Sequence, residues 1–468
     1  MFVDLGLPVK TAPPTARFSS AIVQPMKRGF YTIMAAQFFS SLADNALLIA
    51  AIALLFELNG PAWMTPLLKF FFTVSYVVLA PFVGPFADAL PKGRVMFVTN
   101  TIKVCGCLMM LFYTAIAGMG IEPYLVVLIA YGVVGFGAAA YSPAKYGILT
   151  ELLPPEKLVV ANAWIEALTV GSIIAGVVLG GILIKPSISR QLLLLDMPYF
   201  DTGIESPAEA AISVIVFFYM IAAFFNLYIP DTGARYEKQE KNPIRLVTDF
   251  AHCFKTLWGD RLGQISLAVT TLFWGAGATL QLIVLRWADV HLGMPLDKAS
   301  VLTGVFAFGT AFGAILAARF IPLKQSLRVL PAGIAMGVVV MAMTIVTNMP
   351  LVYALMIFVG SMAGFFVVPM NALLQHRGHV LLSAGHSIAV QNFNENLCIL
   401  SMLAVYACML SIKMHINTVI MLFGIFVSLA MAGVIWLHRY NQRVHGDAEQ
   451  FIGIEKGESP AHFGERPH

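Results

Sequence analysis

The sequence predicts an all-α membrane protein with twelve membrane-spanning helices in two halves of six. Three observations indicate this fold class. First, 59% of the 468 residues are hydrophobic and only 12% are charged, whereas soluble domains contain about 25% charged residues. Second, the apolar residues form long unbroken runs, each with the roughly 20 residues that a helix needs to cross a bilayer. Third, a charged connector near the middle of the chain separates six runs from six.

The twelve apolar runs are the candidate spans. Helices are favoured over a β-barrel, because barrel strands would show alternating segments of about ten residues. The runs of the first half are 30–55, 64–87, 95–116, 123–149, 158–184 and 209–229. Those of the second half are 263–288, 299–318, 327–347, 350–375, 384–412 and 417–438. The first run is too long for a secretory signal and has no small-residue cleavage site after it, so we expect a retained helix.

Polar segments frame the runs and divide the chain into five parts. These are a leader (1–29), a first six-helix bundle (30–229), a connector (230–261), a second bundle (262–438) and a tail (439–468). The loop 185–207 is long for a helix connection and contains Asp196, Asp201 and Glu205. It is expected to be either a lid or an idle insertion.

Basic residues predict the orientation of the chain. Of its 29 Lys and Arg residues, Lys69, Lys103 and Arg286 fall inside runs. With a cytoplasmic amino terminus, four more lie in outer loops, namely Lys185, Arg190, Lys298 and Lys413. The remaining 22 lie in cytoplasmic segments or, for Lys145 and Arg328, at the cytoplasmic ends of their runs. Such a bias places both termini in the cytoplasm. The net charge of +4 does not indicate a nucleic-acid partner, because the basic residues belong to loops.

The loop between the second and third runs contains a charged motif. It reads Gly84-Pro85-Phe86-Ala87-Asp88-Ala89-Leu90-Pro91-Lys92-Gly93-Arg94. This spacing resembles the loop motif G-x-x-x-D-x-x-x-K/R-G-R of the major facilitator superfamily. It predicts a conformational latch of Gly84, Asp88, Lys92, Gly93 and Arg94, in which Asp88 and Arg94 form a breakable charge pair. The alternative is an ordinary short basic loop.

Asp44 lies about halfway along the first run. An ionisable group at that depth costs at least about 3 kcal/mol and usually faces a cavity or a partner. Gln37, Ser41 and Asp44 are spaced i, i+4 and i+7, so they share one helix face. The functional interpretation is a cavity-lining acid in a substrate site that also includes Asn45. The alternative is a structural bond to a neighbouring helix.

Further polar residues interrupt other runs. The fifth and eleventh runs contain Asn162, Glu166, Thr169, Gln391, Asn392, Asn394, Glu395 and Asn396. This density favours a wet or ligand-facing surface, with interhelical hydrogen bonding as the alternative. Lys103 and Arg286 are candidate partners of a phosphate, with snorkelling to the membrane interface as the alternative.

Signatures of enzymes are absent from the sequence. There is no G-x-x-x-x-G-K-[ST] phosphate loop, which argues against ATP binding. No His is followed five residues later by Asp, so the H-x-x-x-x-D acyltransferase pattern is missing, and the ten His residues form no metal-binding pair on a helix. We therefore expect no catalytic residues, no cofactor and no metal.

Five of the runs contain longer characteristic segments, at 37–48, 137–149, 272–277, 364–375 and 389–392. Together they resemble the bacterial lysophospholipid transporter family, a branch of the major facilitator superfamily, and the resemblance extends over residues 30 to 438. It implies that superfamily's fold of two parallel six-helix bundles, with the substrate site between them near the membrane midplane.

The resemblance also implies a function. The chain would move lysophosphatidylethanolamine and related lysolipids from the outer to the inner leaflet of the bacterial inner membrane, by alternating access with lateral opening. Its partners would be membrane lipids and a coupling cation. A separate acyltransferase–acyl carrier protein synthetase would reacylate the product, since the chain stops at His468 without such a domain.

The candidate substrate site is motivated by the polar stripes on otherwise apolar helices. Asp44, with Glu166 and Gln391, would hold the amine or a coupled cation, and Lys103 or Lys145 the phosphate. The complete candidate set is Gln37, Ser41, Asp44, Asn45, Lys103, Lys145, Glu166, Gln281, Arg286, Gln391, Asn392 and Glu395. The chain has Gln281 where the family has an arginine, and Arg286 is rotated from it by about 140° at 100° per residue. Arg286 therefore cannot simply replace that arginine.

The main alternative function is proton-coupled export of drugs or metabolites by the same fold. A titratable aspartate inside the membrane suits that activity equally well. A membrane acyltransferase is disfavoured by the missing His–Asp pattern, and a non-transporting scaffold by the polar residues within the spans.

Overall fold

A computed structural model describes residues 20–60, 64–193, 204, 206–234, 236, 242–294, 296–446 and 452, and its regular structure in these ranges is helical. Most of the predicted leader and tail lie outside the described residues. So do Asp196, Asp201 and Glu205 of the long loop.

The first half contains six spans. Span 1 is Ser20–Glu57, span 3 is Lys92–Leu111, span 4 is Pro123–Leu152, span 5 is Leu158–Ile184 and span 6 is Pro207–Leu227. Span 2 consists of Met64–Val78 and Ala80–Ala89, which are bent by 66° relative to each other. The bend coincides with Pro81 in the first turn of the second piece, because proline has no N–H to continue the hydrogen-bond ladder.

The second half repeats this arrangement. Span 7 is Arg261–Leu292, span 8 is Leu296–Phe320, span 10 is Met349–Leu381, span 11 is Ala384–Ser411 and span 12 is Ile416–His445. Span 9 combines Leu330–Met341 with the 3-10 turns Leu323–Val329 and Ala342–Thr344. Eleven helices of the described residues are long and apolar enough to cross a membrane, and the bent pair supplies a twelfth span. The predicted fold class is thus confirmed.

Within the described ranges, four shorter helices connect the spans, at Tyr113–Ala117, Pro155–Lys157, Pro186–Leu193 and Pro243–Gly259. The last of these, the connector helix, lies within the predicted connector. Asn242 caps it by accepting a hydrogen bond from the Ile244 N–H. Its buried Cys253 and Leu257 pack against Leu267, Leu374 and Val390 of the second half. The connector, which was predicted only as a charged segment, therefore contains an amphipathic helix whose apolar face packs against the second half.

Small residues set the closest helix contacts. Gly309 and Gly313 of span 8 face the span 10 backbone, and Gly360 and Gly364 of span 10 face the span 8 backbone. Each pair is spaced by four residues, and a methyl group at any of the four would collide with main-chain atoms of the other span. Membrane helices associate through such packing, because lipid offers no hydrophobic driving force between them.

Three large apolar cores show how the two halves meet. One combines residues of both halves, such as Ile148 and Ile165 with Val367 and Leu373, and lies at the end of the molecule that contains the loop motif. The second core contains residues of the first half alone, and the third contains residues of the second half alone. Among the described residues, the apolar cores therefore join the halves at the loop-motif end, the closed end, and are separate at the opposite end. The region between the two separate cores is called the cleft below.

Candidate functional site

Asp44 and Lys103 form an ion pair inside the first half. The Lys103 Nζ atom lies 2.9 Å and 2.8 Å from the two carboxylate oxygens of Asp44. The Tyr219 hydroxyl donates a third hydrogen bond to Asp44, at 2.6 Å, and Lys103 also donates to Ser40. Three helices, spans 1, 3 and 6, thus contribute to one charge cluster.

The two members of this pair differ in accessibility. The side chain of Lys103 is 1% exposed, whereas that of Asp44 is 20% exposed. The Lys103 ammonium also lies 5.2 Å and 5.5 Å from the ring centroids of Tyr141 and Tyr219, so aromatic faces stabilise it further. Asp44 is the member that a ligand reaches first.

The other predicted polar residues of span 1 contact span 5. The Gln37 amide donates to Thr169 at 3.0 Å, and Ser41 accepts from Ser172 at 2.8 Å. Asn45 donates to the Ser41 carbonyl one turn earlier in its own helix. The bonds of Gln37 and Ser41 hold spans 1 and 5 together, whereas Asp44 faces spans 3 and 6.

A second polar cluster crosses between the halves. The Gln391 amide donates to Glu395 at 2.7 Å and to Asn371 at 3.0 Å, and Asn371 donates to Glu166 at 3.4 Å. Glu166, Gln391 and Glu395 are buried. Lys145 interacts electrostatically with Glu166. The hydrogen bonds through Asn371 and Gln391 therefore connect the Glu166 carboxylate of the first half to the Glu395 carboxylate of the second half.

Two further hydrogen-bonded pairs lie in the same layer. Asn162 and Gln375 exchange two amide hydrogen bonds across the halves, at 2.8 Å and 2.9 Å. The Asn392 amide donates to the Ser142 hydroxyl at 2.9 Å. Because all these groups are buried, they form a polar layer that closes the cleft toward the loop-motif end.

Asp88 joins the halves at the closed end. It pairs with Lys92 at 2.6 Å and accepts from the Gly385 N–H at 3.0 Å. The Ser383 hydroxyl donates to the same carboxylate, and His386 Nδ1 lies 2.9 Å from it. Four groups from the start of span 11 and from the loop motif therefore converge on one fully buried carboxylate.

Lys92 extends this contact to the connector. Its Nζ atom lies 3.5 Å from Glu151, and Glu151 accepts hydrogen bonds from Thr232 at 2.6 Å and Tyr236 at 2.8 Å. Burial and the neighbouring Glu151 raise the pKa of the Tyr236 phenol, so it stays protonated as a donor.

The other members of the loop motif have different surroundings. Arg94 is exposed and forms no ion pair with the described residues, so Lys92 rather than Arg94 pairs with Asp88. A methyl group on Gly84 would lie 3.0 Å from the His386 Cα atom, and one on Gly93 would lie 3.0 Å from Ile229. The two glycines therefore allow close approach, Gly84 to span 11 and Gly93 to the end of span 6.

Gln281 and Arg286 of span 7 are both exposed. Arg286 pairs with Asp289 of its own helix at 3.2 Å, and the two side chains are 55% and 58% exposed. The structure therefore does not bring Arg286 to the Asp44–Lys103 pair.

Several residues of these clusters were not predicted from the sequence. They are Ser40, Asn100, Glu151, Tyr219, Tyr236, Asn371, Gln375, Ser383 and His386. The polar residues among 371–375 interrupt an apolar run, and that signal could have identified Asn371 and Gln375. A single tyrosine such as Tyr219 in an apolar run gives no comparable signal.

Comparison with known proteins places the chain among transporters. The family model described as Major Facilitator Superfamily matches residues 33–400. Lysophospholipid transporters LplT of Yersinia pestis (strain Pestoides F) and Yersinia pseudotuberculosis (serotype O:3) are each 42% identical to it over 384 residues, which is 82% of this chain and 87% of theirs.

Solved structures agree on the fold. A bacterial homologue of the iron transporter ferroportin, in an outward-facing state, has a TM-score of 0.65 at 12% identity, over 87% of this chain and 100% of that one. The fucose:proton symporter FucP of E. coli has a TM-score of 0.66 at 13% identity, over 90% and 98% of the two chains. These likenesses concern the fold alone. The chain belongs to the major facilitator superfamily and is a close relative of the bacterial lysophospholipid transporter LplT.

Proposed function

We propose that this chain moves lysophosphatidylethanolamine and related lysolipids from the outer to the inner leaflet of the bacterial inner membrane. Its 42% identical relatives are lysophospholipid transporters, which supports the substrate class. The single observation that carries the chemistry is the partly accessible Asp44–Lys103 pair. A lysolipid's acyl chain holds it in the membrane, but its charged head needs a polar path through the hydrocarbon.

The ion pair offers both charges that a zwitterionic head requires. The head ammonium would replace Lys103 at Asp44, and a phosphate oxygen would replace Asp44 at Lys103. Removing one partner of a buried pair costs about 3–5 kcal/mol, because the other charge is left uncompensated. A zwitterion avoids this cost since it compensates both charges at once. An anionic lysolipid compensates only Lys103, so a coupling cation at Asp44 would complete the exchange.

Alternating access would then depend on the polar layer. The contacts Asn162–Gln375, Glu166–Asn371 and Ser142–Asn392 all join the two halves. Interhelical hydrogen bonds in membranes contribute only about 0.6 kcal/mol each, so these bonds can break during each cycle. Lateral opening between the halves would leave the acyl chain in lipid while the head crosses.

The cellular setting belongs to the same proposal. The positive-inside bias favours cytoplasmic termini and a cytoplasmic loop motif. The open cleft would then face outward, ready for a lysolipid of the outer leaflet. A separate acyltransferase–acyl carrier protein synthetase would convert the delivered lysolipid to a diacyl lipid.

The test uses spheroplasts that lack their native lysolipid transporter and contain the acyltransferase. Radiolabelled lysophosphatidylethanolamine is added outside, and diacyl product is measured. Expression of the wild-type chain should raise the product above the empty-vector level, and the double variant Asp44→Asn/Lys103→Met, which removes both charges of the pair, should not. Wild-type product at the empty-vector level, together with resistance in a drug-efflux assay, would replace this proposal with proton-coupled export.

A further inference from the structure

A groove between spans 9 and 12 lies outside the cleft. It has a volume of about 430 Å³ and is lined by Pro331, Ile334, Ala432, Ile435, Trp436, Arg439, Tyr440 and Arg443. Its apolar part, including Ile334 and Ile435, packs against the core shared by both halves at the loop-motif end. The groove therefore begins among membrane-embedded side chains and ends at the charged end of span 12.

Arg439 and Arg443 occupy the charged end of this groove. They are spaced i and i+4, so they lie on the same face of span 12. Both side chains are exposed, and within the described part of the chain neither guanidinium has a hydrogen-bond or ion-pair partner. Two neighbouring unpaired cations on one helix face repel each other and favour a shared anion.

Two aromatic residues accompany the arginines: Trp436 lies between Arg439 and the apolar part along span 12, and Tyr440 lies between the two arginines. The rings of Trp436 and Tyr440 stack with their centroids 5.6 Å apart and an interplanar angle of 20°. Their side chains are nevertheless 66% and 48% exposed. Exposed Trp and Tyr at the end of a span are typical of the level where hydrocarbon meets lipid head groups.

We propose that this groove binds an anionic phospholipid. The phosphodiester would lie between Arg439 and Arg443, whose planar guanidinium groups suit phosphate oxygens. An acyl chain would follow Ile435, Ile334 and Pro331 into the membrane. From Arg439 through Trp436 to Ile435, the order of basic, aromatic and apolar side chains matches the order of groups in a phospholipid. Basic pockets between membrane helices are known binding sites for anionic head groups.

The charge of the site selects among lipids. A zwitterionic head would bring an ammonium group toward two guanidinium groups, whereas phosphatidylglycerol brings no positive charge. Phosphatidylglycerol should therefore bind more tightly than phosphatidylethanolamine. The site is separate from the Asp44–Lys103 pair, and the proposal does not depend on which substrate the cleft carries.

Native mass spectrometry of the purified full chain tests the proposal, with phosphatidylglycerol titrated as the probe. Each basic residue near an anionic lipid contributes about 1 kcal/mol. The double variant Arg439→Gln/Arg443→Gln should thus bind phosphatidylglycerol about thirty-fold more weakly, which corresponds to about 2 kcal/mol. Arg319→Gln, an exposed arginine at the end of span 8, is the matched control and should bind like wild type.

Three results would overturn the proposal. One is equal loss of binding in Arg319→Gln, which would indicate general surface charge. Another is equal binding of phosphatidylethanolamine by the wild-type chain. The third is displacement of the lipid by inorganic phosphate, which would indicate a site for a free anion. Should the double variant not accumulate, Arg443→Gln alone should weaken binding about fivefold.

Discussion

At the scale of single residues, the Asp44–Lys103 pair explains how an apolar bundle holds two opposite charges. Lys103 is almost fully buried, and its ammonium has Asp44, Ser40 and two aromatic rings around it. A lysine in that position without an acid partner would be strongly destabilising. Part of the importance of Asp44 is therefore structural, and a variant of Asp44 alone cannot separate folding from transport.

A neutral pair separates these two roles. Lys103→Met leaves Asp44 without its cation and should destabilise the protein by about 3–5 kcal/mol. Adding Asp44→Asn removes the unpaired charge, so the double variant Asp44→Asn/Lys103→Met should regain membrane abundance but not transport. Quantitative immunoblots of membranes and the spheroplast assay measure the two properties. Normal transport by the double variant would mean that the pair serves stability alone.

The loop motif allows a second prediction at this scale. Asp88→Asn removes the charge paired with Lys92 and places an amide where the carboxylate now accepts from Gly385 and Ser383. Arg94→Ala removes none of these contacts. Asp88→Asn should therefore shift the resting chain toward a state open at the loop-motif end, and Arg94→Ala should not.

Spin labels placed at the loop-motif end of each half can measure this shift as label-to-label distances, by double electron–electron resonance. Longer label distances are expected for Asp88→Asn, and wild-type distances for Arg94→Ala. Transport should fall in both variants if Arg94 serves another step of the cycle. Unchanged distances in Asp88→Asn would refute a role for its carboxylate in closing this end.

At the scale of helices, closure depends on glycine contacts between span 2 and span 11. A methyl group on Gly385 would lie 2.6 Å from the Asp88 carboxylate and 2.6 Å from the Gly84 carbonyl oxygen. Main-chain atoms cannot move aside without distorting the helix, and overpacking of this kind destabilises a packed contact by about 1–3 kcal/mol. Gly385→Ala should therefore disfavour the closed end.

Thiol crosslinking measures this effect. The Thr150 hydroxyl lies 3.4 Å from the His379 Nδ1 atom across the halves, so cysteines at both positions should be joined by a short bismaleimide in a chain without its native cysteines. Gly385→Ala should lower the ratio of closed to open molecules about tenfold and so reduce the extent of crosslinking. Gly433→Ala is the control, because a methyl group there meets no atom within 4 Å. Equal crosslinking in both variants would contradict the expected clash.

Physical requirements explain which features of these helices could be predicted from the sequence and which could not. The membrane requirement fixes the length and apolar character of each span, so the run 158–184 reappears as Leu158–Ile184. The bend in span 2 was not predicted, since Pro81 has no charged or polar neighbour to interrupt the run. The connector helix was missed because its charged residues outweighed the apolar face of Cys253 and Leu257.

Only part of the candidate functional site could be predicted from the sequence. The sequence identifies Asp44 and Lys103 as unusual, because placing a charged side chain in the hydrocarbon of the membrane costs free energy. It does not identify which charges pair, because that depends on helix rotation and packing. The partners of Asp88 illustrate this limit, since Ser383, Gly385 and His386 lie about 300 residues away along the chain.

At the scale of the whole molecule, the orientation of the chain in the membrane determines to which side of the membrane the cleft opens. A cytoplasmic loop motif would make this conformation open to the outside. A reporter fused after residue 445 should therefore give a cytoplasmic signal, as judged by paired phosphatase and fluorescent-protein fusions. Strong phosphatase activity there would reverse the orientation and with it the proposed direction of transport.

The most direct test of the central claim is lysolipid movement in proteoliposomes of the purified chain. Head-group-labelled lysophosphatidylethanolamine is added to the outer leaflet, and its protection from a membrane-impermeant quencher is followed over time. The wild-type chain should produce protection faster than protein-free liposomes, and Asp44→Asn/Lys103→Met should match the protein-free rate. A wild-type rate no higher than that of protein-free liposomes, with folded protein verified in the membrane, would contradict lysolipid transport by this chain.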